Sequence, residues 1–330
     1  VYLAQKEAGL AVLALGGSGV PNVVARLDPS RFGALHAMAL TQQGSRVFVA
    51  LGDLFANQGS RTGLAVVDVT EPASPRVTST WISPVVMHGA TAVLAAGNTV
   101  YLTAMQDGLI IFDVSAADTV VKVGEIVPDP DFPKPNPGPT ELPNARGLDL
   151  VGTLLYLAND AGGLRVIDVT DRSRPREVAK YLNAGVQNKP QAYNNVAVVG
   201  SRAFVALDYC GLEILDVSNP SVIRQIGWWN PWGCETPANT WFNSPGHANQ
   251  LVVDSARNLV YLSAGASELV VVDASDPQRP TLRGQYEYPG GNQGVWGLAV
   301  TSTETYLTYI ISLIPFRGTW AGVRSVTTIR

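Results

Sequence analysis

Gly-Leu-Ala-Val-Val-Asp-Val at 63–69 returns as Gly-Leu-Ile-Ile-Phe-Asp-Val at 108–114, Gly-Leu-Arg-Val-Ile-Asp-Val at 163–169, Gly-Leu-Glu-Ile-Leu-Asp-Val at 211–217 and Glu-Leu-Val-Val-Val-Asp-Ala at 268–274. The chain is an array of one unit. Its repeated Asp68, Asp113, Asp168, Asp216 and Asp273 stand 45, 55, 48 and 57 residues apart, a period that belongs to β-propeller blades and not to helical solenoids.

Around the 163–169 copy the whole unit can be read. Ala145 to Gly152 makes a first strand, Leu155 to Asn159 a second and the phrase itself a third, and the turn Asp-Arg-Ser-Arg-Pro at 171–175 leads to a fourth near Glu177–Tyr181. Four antiparallel strands make a propeller blade. The second strand recurs as Val1-Tyr2-Leu3-Ala4, Val47–Ala50, Val100–Thr103, Ala203–Ala206, Val260–Ser263 and Thr305–Thr308, so the expectation is an all-β, seven-bladed β-propeller. The chain opens on a second strand and closes on a third, Gly322–Arg330. Residues 1–330 are therefore expected to be one domain lacking a short upstream segment of about 20–30 residues, which supplies the outer strand of the last blade and the inner strand of the first. Without that segment, six inner strands leave a six-bladed ring as the alternative.

Composition agrees. Charged residues are only 15 % of the chain, while 32 Gly and 22 Pro supply the turns that many short buried strands need. A net charge of −4 argues against nucleic acid, which requires a basic face. No apolar run reaches bilayer length; the longest, Tyr306 to Phe316, is broken by Thr308, Ser312 and Pro315.

These phrases, with the Pro turns at Pro72, Pro175, Pro220 and Pro277, resemble the LVIVD-repeat family of bacterial propellers. The first and last units depart from the pattern, with Ala14 and Thr327 in place of Asp. The resemblance implies an extracytoplasmic protein, periplasmic, secreted or at the cell surface, and hands over no catalytic residues. The repeated Asp residues read as turn formers that bond nearby backbone amides.

Strand polarity gathers the irregular loops at one end of each blade. There lie the long insertions Asp53–Thr62, Pro128–Asn144 and Gly227–Gly246, and function is expected on such loops. All three histidines fall near the starts of first strands: His36 and His247 at the same position, His88 one residue earlier. Three converging imidazoles suit Zn, Cu or Fe, with Asp53, Asn159, Asp160 or Asp208 as orienting partners. The competing reading is that they cap strand ends and bond water or backbone. Arg146, Tyr193 and Trp296 either hold an anionic or sugar-like ligand or plug the channel. Trp228, Trp229, Trp232 and Trp241 crowd one insertion and either contact a partner or fold down as a lid. Cys210 and Cys234, the only cysteines, are expected to form a disulfide across 23 intervening residues.

Two functions follow. One is an extracytoplasmic binding or assembly module that holds a protein or glycan through the irregular loops, associated with a membrane or envelope complex but with no transmembrane segment. The other is a metal-dependent enzyme built on His36, His88 and His247. No hydrolase, metalloprotease, phosphate-loop or dinucleotide motif occurs in the sequence.

Overall fold

The computed structural model describes residues 1–330 except 16–20, 54–58, 140, 190–191, 291–292 and 312–317. Seven antiparallel sheets follow one another along the chain, each with its strands in sequence order. The fold is a seven-bladed β-propeller. The first sheet holds β1 (Tyr2–Ala4), β2 (Leu10–Leu15) and β3 (Pro21–Leu27). The second holds β4 (Ala37–Gln43), β5 (Arg46–Leu51), β6 (Gly63–Asp68) and β7 (Arg76–Ile82). The third has β8 (Ala92–Ala96), β9 (Thr99–Thr103), β10 (Leu109–Asp113) and β11 (Val121–Ile126). Next come β12 (Leu148–Val151), β13 (Leu154–Ala158), β14 (Leu164–Asp168) and β15 (Arg176–Tyr181). The fifth comprises β16 (Asn195–Val199), β17 (Arg202–Ala206), β18 (Leu212–Asp216) and β19 (Arg224–Trp229). The sixth comprises β20 (Gln250–Asp254), β21 (Leu259–Ser263), β22 (Leu269–Asp273) and β23 (Thr281–Tyr286), and the last β24 (Val295–Val300), β25 (Glu304–Tyr309) and β26 (Gly322–Thr327).

The repeated phrases are the third strands. They read as unbroken apolar runs because neighbouring sheets cover both of their faces, as in the clusters joining Phe48, Leu64, Leu102 and Phe112, or Phe204, Ile214, Leu262 and Val272. Fourth strands lie at the edge and alternate exposed with half-buried, as in Arg-Glu-Val-Ala-Lys-Tyr of β15. A register shift recurs between third and fourth strands, at Val12/Leu13, Val66/Val67, Ile111/Phe112, Ile214/Leu215 and Val271/Val272. Such a bulge bends the outer strand.

The phrase ends in Asp for a turn. Thr70 donates both its amide and its hydroxyl to Asp68 Oδ1, at 2.9 and 2.7 Å, and Ser115 and Ser218 donate their amides in the same way to Asp113 and Asp216. Thr170 and Ser275 repeat the amide bond to Asp168 and Asp273. The Thr70 bonds, and then Arg76, bring the Asp68 carboxyl down to about 2.

By contact density the chain divides into two compact units. One comprises Val1–Asp129, Asn144–Leu148 and Asp168–Arg176; the other comprises Pro130–Pro143, Asp149–Ile167 and Glu177–Arg330. In the first, the core runs through Leu10, Phe32, Val49 and Leu51 and then through the Phe48–Phe112 cluster. In the second it runs through Tyr156, Val166, Val205 and Leu215 to Tyr261, Val271 and Leu307.

Residues 54–58 of the expected loop Asp53–Thr62, and residue 140 of Pro128–Asn144, lie outside the described residues. One boundary is corrected. Trp228 and Trp229 belong to β19, where they pair with Glu213 and Leu212, so the insertion begins at residue 230. The edge-strand pattern simply continues three residues further than the turn signals suggest.

Candidate functional site

After five of the seven second strands, β1, β9, β13, β17 and β21, one residue turns the chain and reaches the next sheet. Lys6, Met105, Asp160 and Asp208 take the left-handed conformation, φ 50°, 52°, 49° and 27°, as does Gly265. Each makes a β-bridge to the start of the next first strand, at Ala37, Ala145, Tyr193, Ala248 and Val295 respectively. Non-glycine residues in this conformation carry strain and persist only where the surroundings hold them. Here two-residue bridges such as Asp160 N to Tyr193 O, 3.0 Å, do the holding.

Side chains at the starts of first strands and the ends of second strands add a second set of clasps. Asn194 Nδ2 donates to Ala248 O and Asn249 Nδ2 to Val295 O, both 3.1 Å, and Ser263 Oγ donates to Trp296 O at 2.8 Å. In the other unit Thr91 and Thr103 hydroxyls donate to Arg146 O at 3.0 and 2.7 Å. Arg146 and Trp296 therefore sit with their carbonyls committed and their side chains half-buried. Tyr193 is fully buried, its hydroxyl accepting from Asn183 N at 2.9 Å and donating to Glu213 at 3.1 Å.

Each histidine faces a carboxylate through Nδ1. His36 meets Asp53 at 3.4 Å, His88 meets Asp107 at 2.9 Å and His247 meets Asp208 at 2.5 Å. Asp53 and Asp208 were expected as orienting groups; Asp107 was not. The signal for it was its place directly before the Gly of a repeated phrase. His36 and His88 are partly open to solvent, whereas His247 is 1 % exposed. Among the described residues no group of three or more His, Cys, Asp and Glu is placed to hold a metal ion.

Around His247 the second unit builds its most elaborate surface. Asp208 bonds His247 with one oxygen and accepts from Trp241 Nε1 with the other, at 3.2 Å, while the Trp241 and Tyr209 rings stand 6.1 and 6.3 Å from the imidazole. Burial, then the charges of Asp208 and Asp160, push the Tyr209 hydroxyl up. The next residue, Cys210, forms a disulfide with Cys234, and both are fully buried. Trp228 Nε1 donates to Cys210 O at 2.8 Å. Lys189 Nζ reaches across to Thr236 O and Asn239 O at 2.9 and 2.5 Å, and Asn239 holds Trp232 O.

The tryptophans are the packing of this strap. A Cβ on Gly185 would stand 2.8 Å from the Trp228 ring and one on Gly246 only 2.0 Å from Trp232, so both indoles lie on bare backbone. Trp229 meets Trp232 edge-on at 5.9 Å. What faces outward is Phe242, 68 % exposed beside Trp241.

Two charged residues inside the repeated phrases escaped sequence reading. Arg165 is fully buried, pairs with Glu177 at 2.6 Å and lies 4.9 Å from the Phe132 ring. Glu213, also fully buried, accepts from Tyr181, Tyr193 and Gln225. Their signal was a charge at the third position of the phrase, where other copies have Ala65, Ile110 and Val270.

Comparison with known proteins agrees with this architecture. Residues 144–183, 192–227 and 245–287 match the LVIVD repeat. The three matches fall on the fourth, fifth and sixth sheets. Among curated proteins none matches the sequence. Two similar solved structures are the computationally designed Ika8 protein (11 % identity, TM-score 0.56, covering 99 % of this chain and 80 % of that one) and a chain of the Mitotic Checkpoint Complex (12 %, TM-score 0.62, 93 % and 82 %). At such identities the likeness is one of fold.

Proposed function

We propose that this propeller, three of whose sheets match the LVIVD repeat, is an extracytoplasmic binding or assembly module that recognises a protein or glycan through its irregular loops. The observation that carries the reading is the strap over residues 230–249: a disulfide, the Lys189 bonds and three packed indoles hold it rigid while presenting Phe242 to solvent. A recognition loop gains from being ordered before it binds, because the ordering entropy is then not subtracted from affinity. An exposed aromatic flanked by exposed Thr240 and Asn243 suits either a protein surface or a sugar face. Arg146 and Trp296 are secondary contact candidates on the first strands. The disulfide is the feature that favours an oxidising compartment, and no helix among the described residues is long and apolar enough to cross a membrane.

The test is binding to a glycan array and to a fractionated envelope extract by the native protein and by Phe242→Ser. Loss of the bound ligand by tenfold or more with unchanged thermal stability is expected. Ligands held equally by both proteins contradict the reading. Metal analysis of the same preparation addresses the enzyme alternative: stoichiometric Zn, Cu or Fe lost on replacing His36, His88 and His247 would favour it.

A further inference from the structure

The repeated phrase ends in Asp-Val in four copies and in Asp-Ala in the fifth, where Ala274 stands in the place of Val69, Val114, Val169 and Val217. All four valines are buried. Ala274 is buried too, but it has two methyl groups fewer, and a cavity of about 90 Å³ lies beside it between the fifth and sixth sheets. The apolar wall of the cavity is Phe204, Val253, Val260 and Ala274. Close-packed interiors leave few voids larger than a water molecule.

The corresponding residues between the second and third sheets pack together. There Val114 lies in one cluster with Phe48 and Val100, and Arg46 Nη1 donates to Val114 O at 2.8 Å while its guanidinium stands 5.3 Å from the centre of the Phe48 ring. Arg46-Val47-Phe48 opens β5 as Arg202-Ala203-Phe204 opens β17, so Arg202 is the counterpart of Arg46. Arg202 lines the cavity, and among the described residues no hydrogen bond or ion pair engages its guanidinium. It is the one charged residue in the lining, where it is joined by the exposed polar residues Ser255 and Asn258.

We propose that this cavity binds a short-chain aliphatic carboxylate, whose tail takes the place of the missing valine methyls while its carboxylate meets Arg202. An apolar cavity of about 150 Å³ is enough for benzene, so this smaller one suits a chain of about three to five carbons. Guanidinium and carboxylate form paired, charge-assisted hydrogen bonds, and no carboxylate in the lining competes for Arg202. The make-up is that of a small-molecule site, mostly apolar with a few polar groups that fix orientation. β20 runs from the strap at Gln250 to the cavity at Val253, so the site lies away from the strap and stands or falls independently of it.

The probe is butyrate, with 1-butanol as its uncharged counterpart, each titrated at constant ionic strength into the native protein carrying isotope-labelled valine methyl groups. Butyrate is expected to shift the Val199, Val253 and Val260 signals with a Kd on the order of 1 mM, as suits so few atoms, and to bind at least tenfold more tightly than butanol. Arg202→Gln should erase that preference while leaving butanol binding unchanged. Ala274→Val, which restores the residue of the other four copies, should abolish binding of both and raise the thermal midpoint by filling the cavity. Butyrate that binds no more tightly than butanol, that is held equally by Arg202→Gln, or that still shifts these signals in Ala274→Val overturns the proposal, as does the absence of any shift in the native protein. Should Ala274→Val fail to fold, the comparison of butyrate with butanol in the native protein and in Arg202→Gln decides alone.

Discussion

Glu213 occupies a position that most copies of the phrase give to an apolar side chain, and its environment works in two directions. Burial raises its carboxyl to about 7, against the lowering effect of the bonds from Tyr181, Gln225 and Tyr193. Because the folded state holds this proton more tightly than the unfolded chain, the contribution to stability is fullest below the ordinary Glu range and is lost as pH rises toward 7. The loss amounts to about 3 kcal/mol at most, at 1.36 kcal/mol per unit. Asp149, also raised by burial, adds a slope of the same sign. Urea unfolding at pH 5 and pH 8 should show the native protein weakening across that range and Glu213→Gln weakening less; an identical slope in both would remove Glu213 as the cause. The site was only partly legible at this scale. An Arg or Glu inside Gly-Leu-x-Val marks a buried polar network, but its partners Glu177, Tyr181 and Gln225 belong to fourth strands, whose alternating pattern looks alike whether or not a side chain points at such a group. Likewise His247 was visible, and Asp208 was weighed beside it, but the burial of both under Trp241 depends on a loop with no periodicity to read.

At the scale of elements, the third strands were readable because sheets on both sides make them continuously apolar, and the turns because Asp bonds the amide two residues on. The insertions were readable only as composition. Four Trp residues near one another left exposed recognition and a folded-down lid both open; Trp228 and Trp229 are strand residues and Trp232 lies on Gly246. The disulfide is what makes this strap one object. Replacing both Cys210 and Cys234 with Ala should lower unfolding stability by about 3 kcal/mol in the chain-entropy picture and open residues 235–245 to proteolysis. Unchanged stability together with unchanged cleavage would mean that the tryptophans and Lys189 hold the strap without it.

Over the whole molecule, seven repeats make a scaffold of a kind that many families use for unrelated purposes. Sequence therefore reached the fold well before it reached a partner: periodicity reports burial, whereas recognition depends on which side chains the irregular loops leave outside. In this protein that role falls to Phe242 at the tip of the strap. A photo-crosslinking amino acid in place of Phe242, compared with one in place of Val151, which is 44 % exposed at the end of β12 beside a short regular turn, tests this in the native setting. Crosslinked partner at position 242 and none at 151 is the predicted result. Adducts at 151 alone, or equally at both, would contradict the assignment of recognition to the strap.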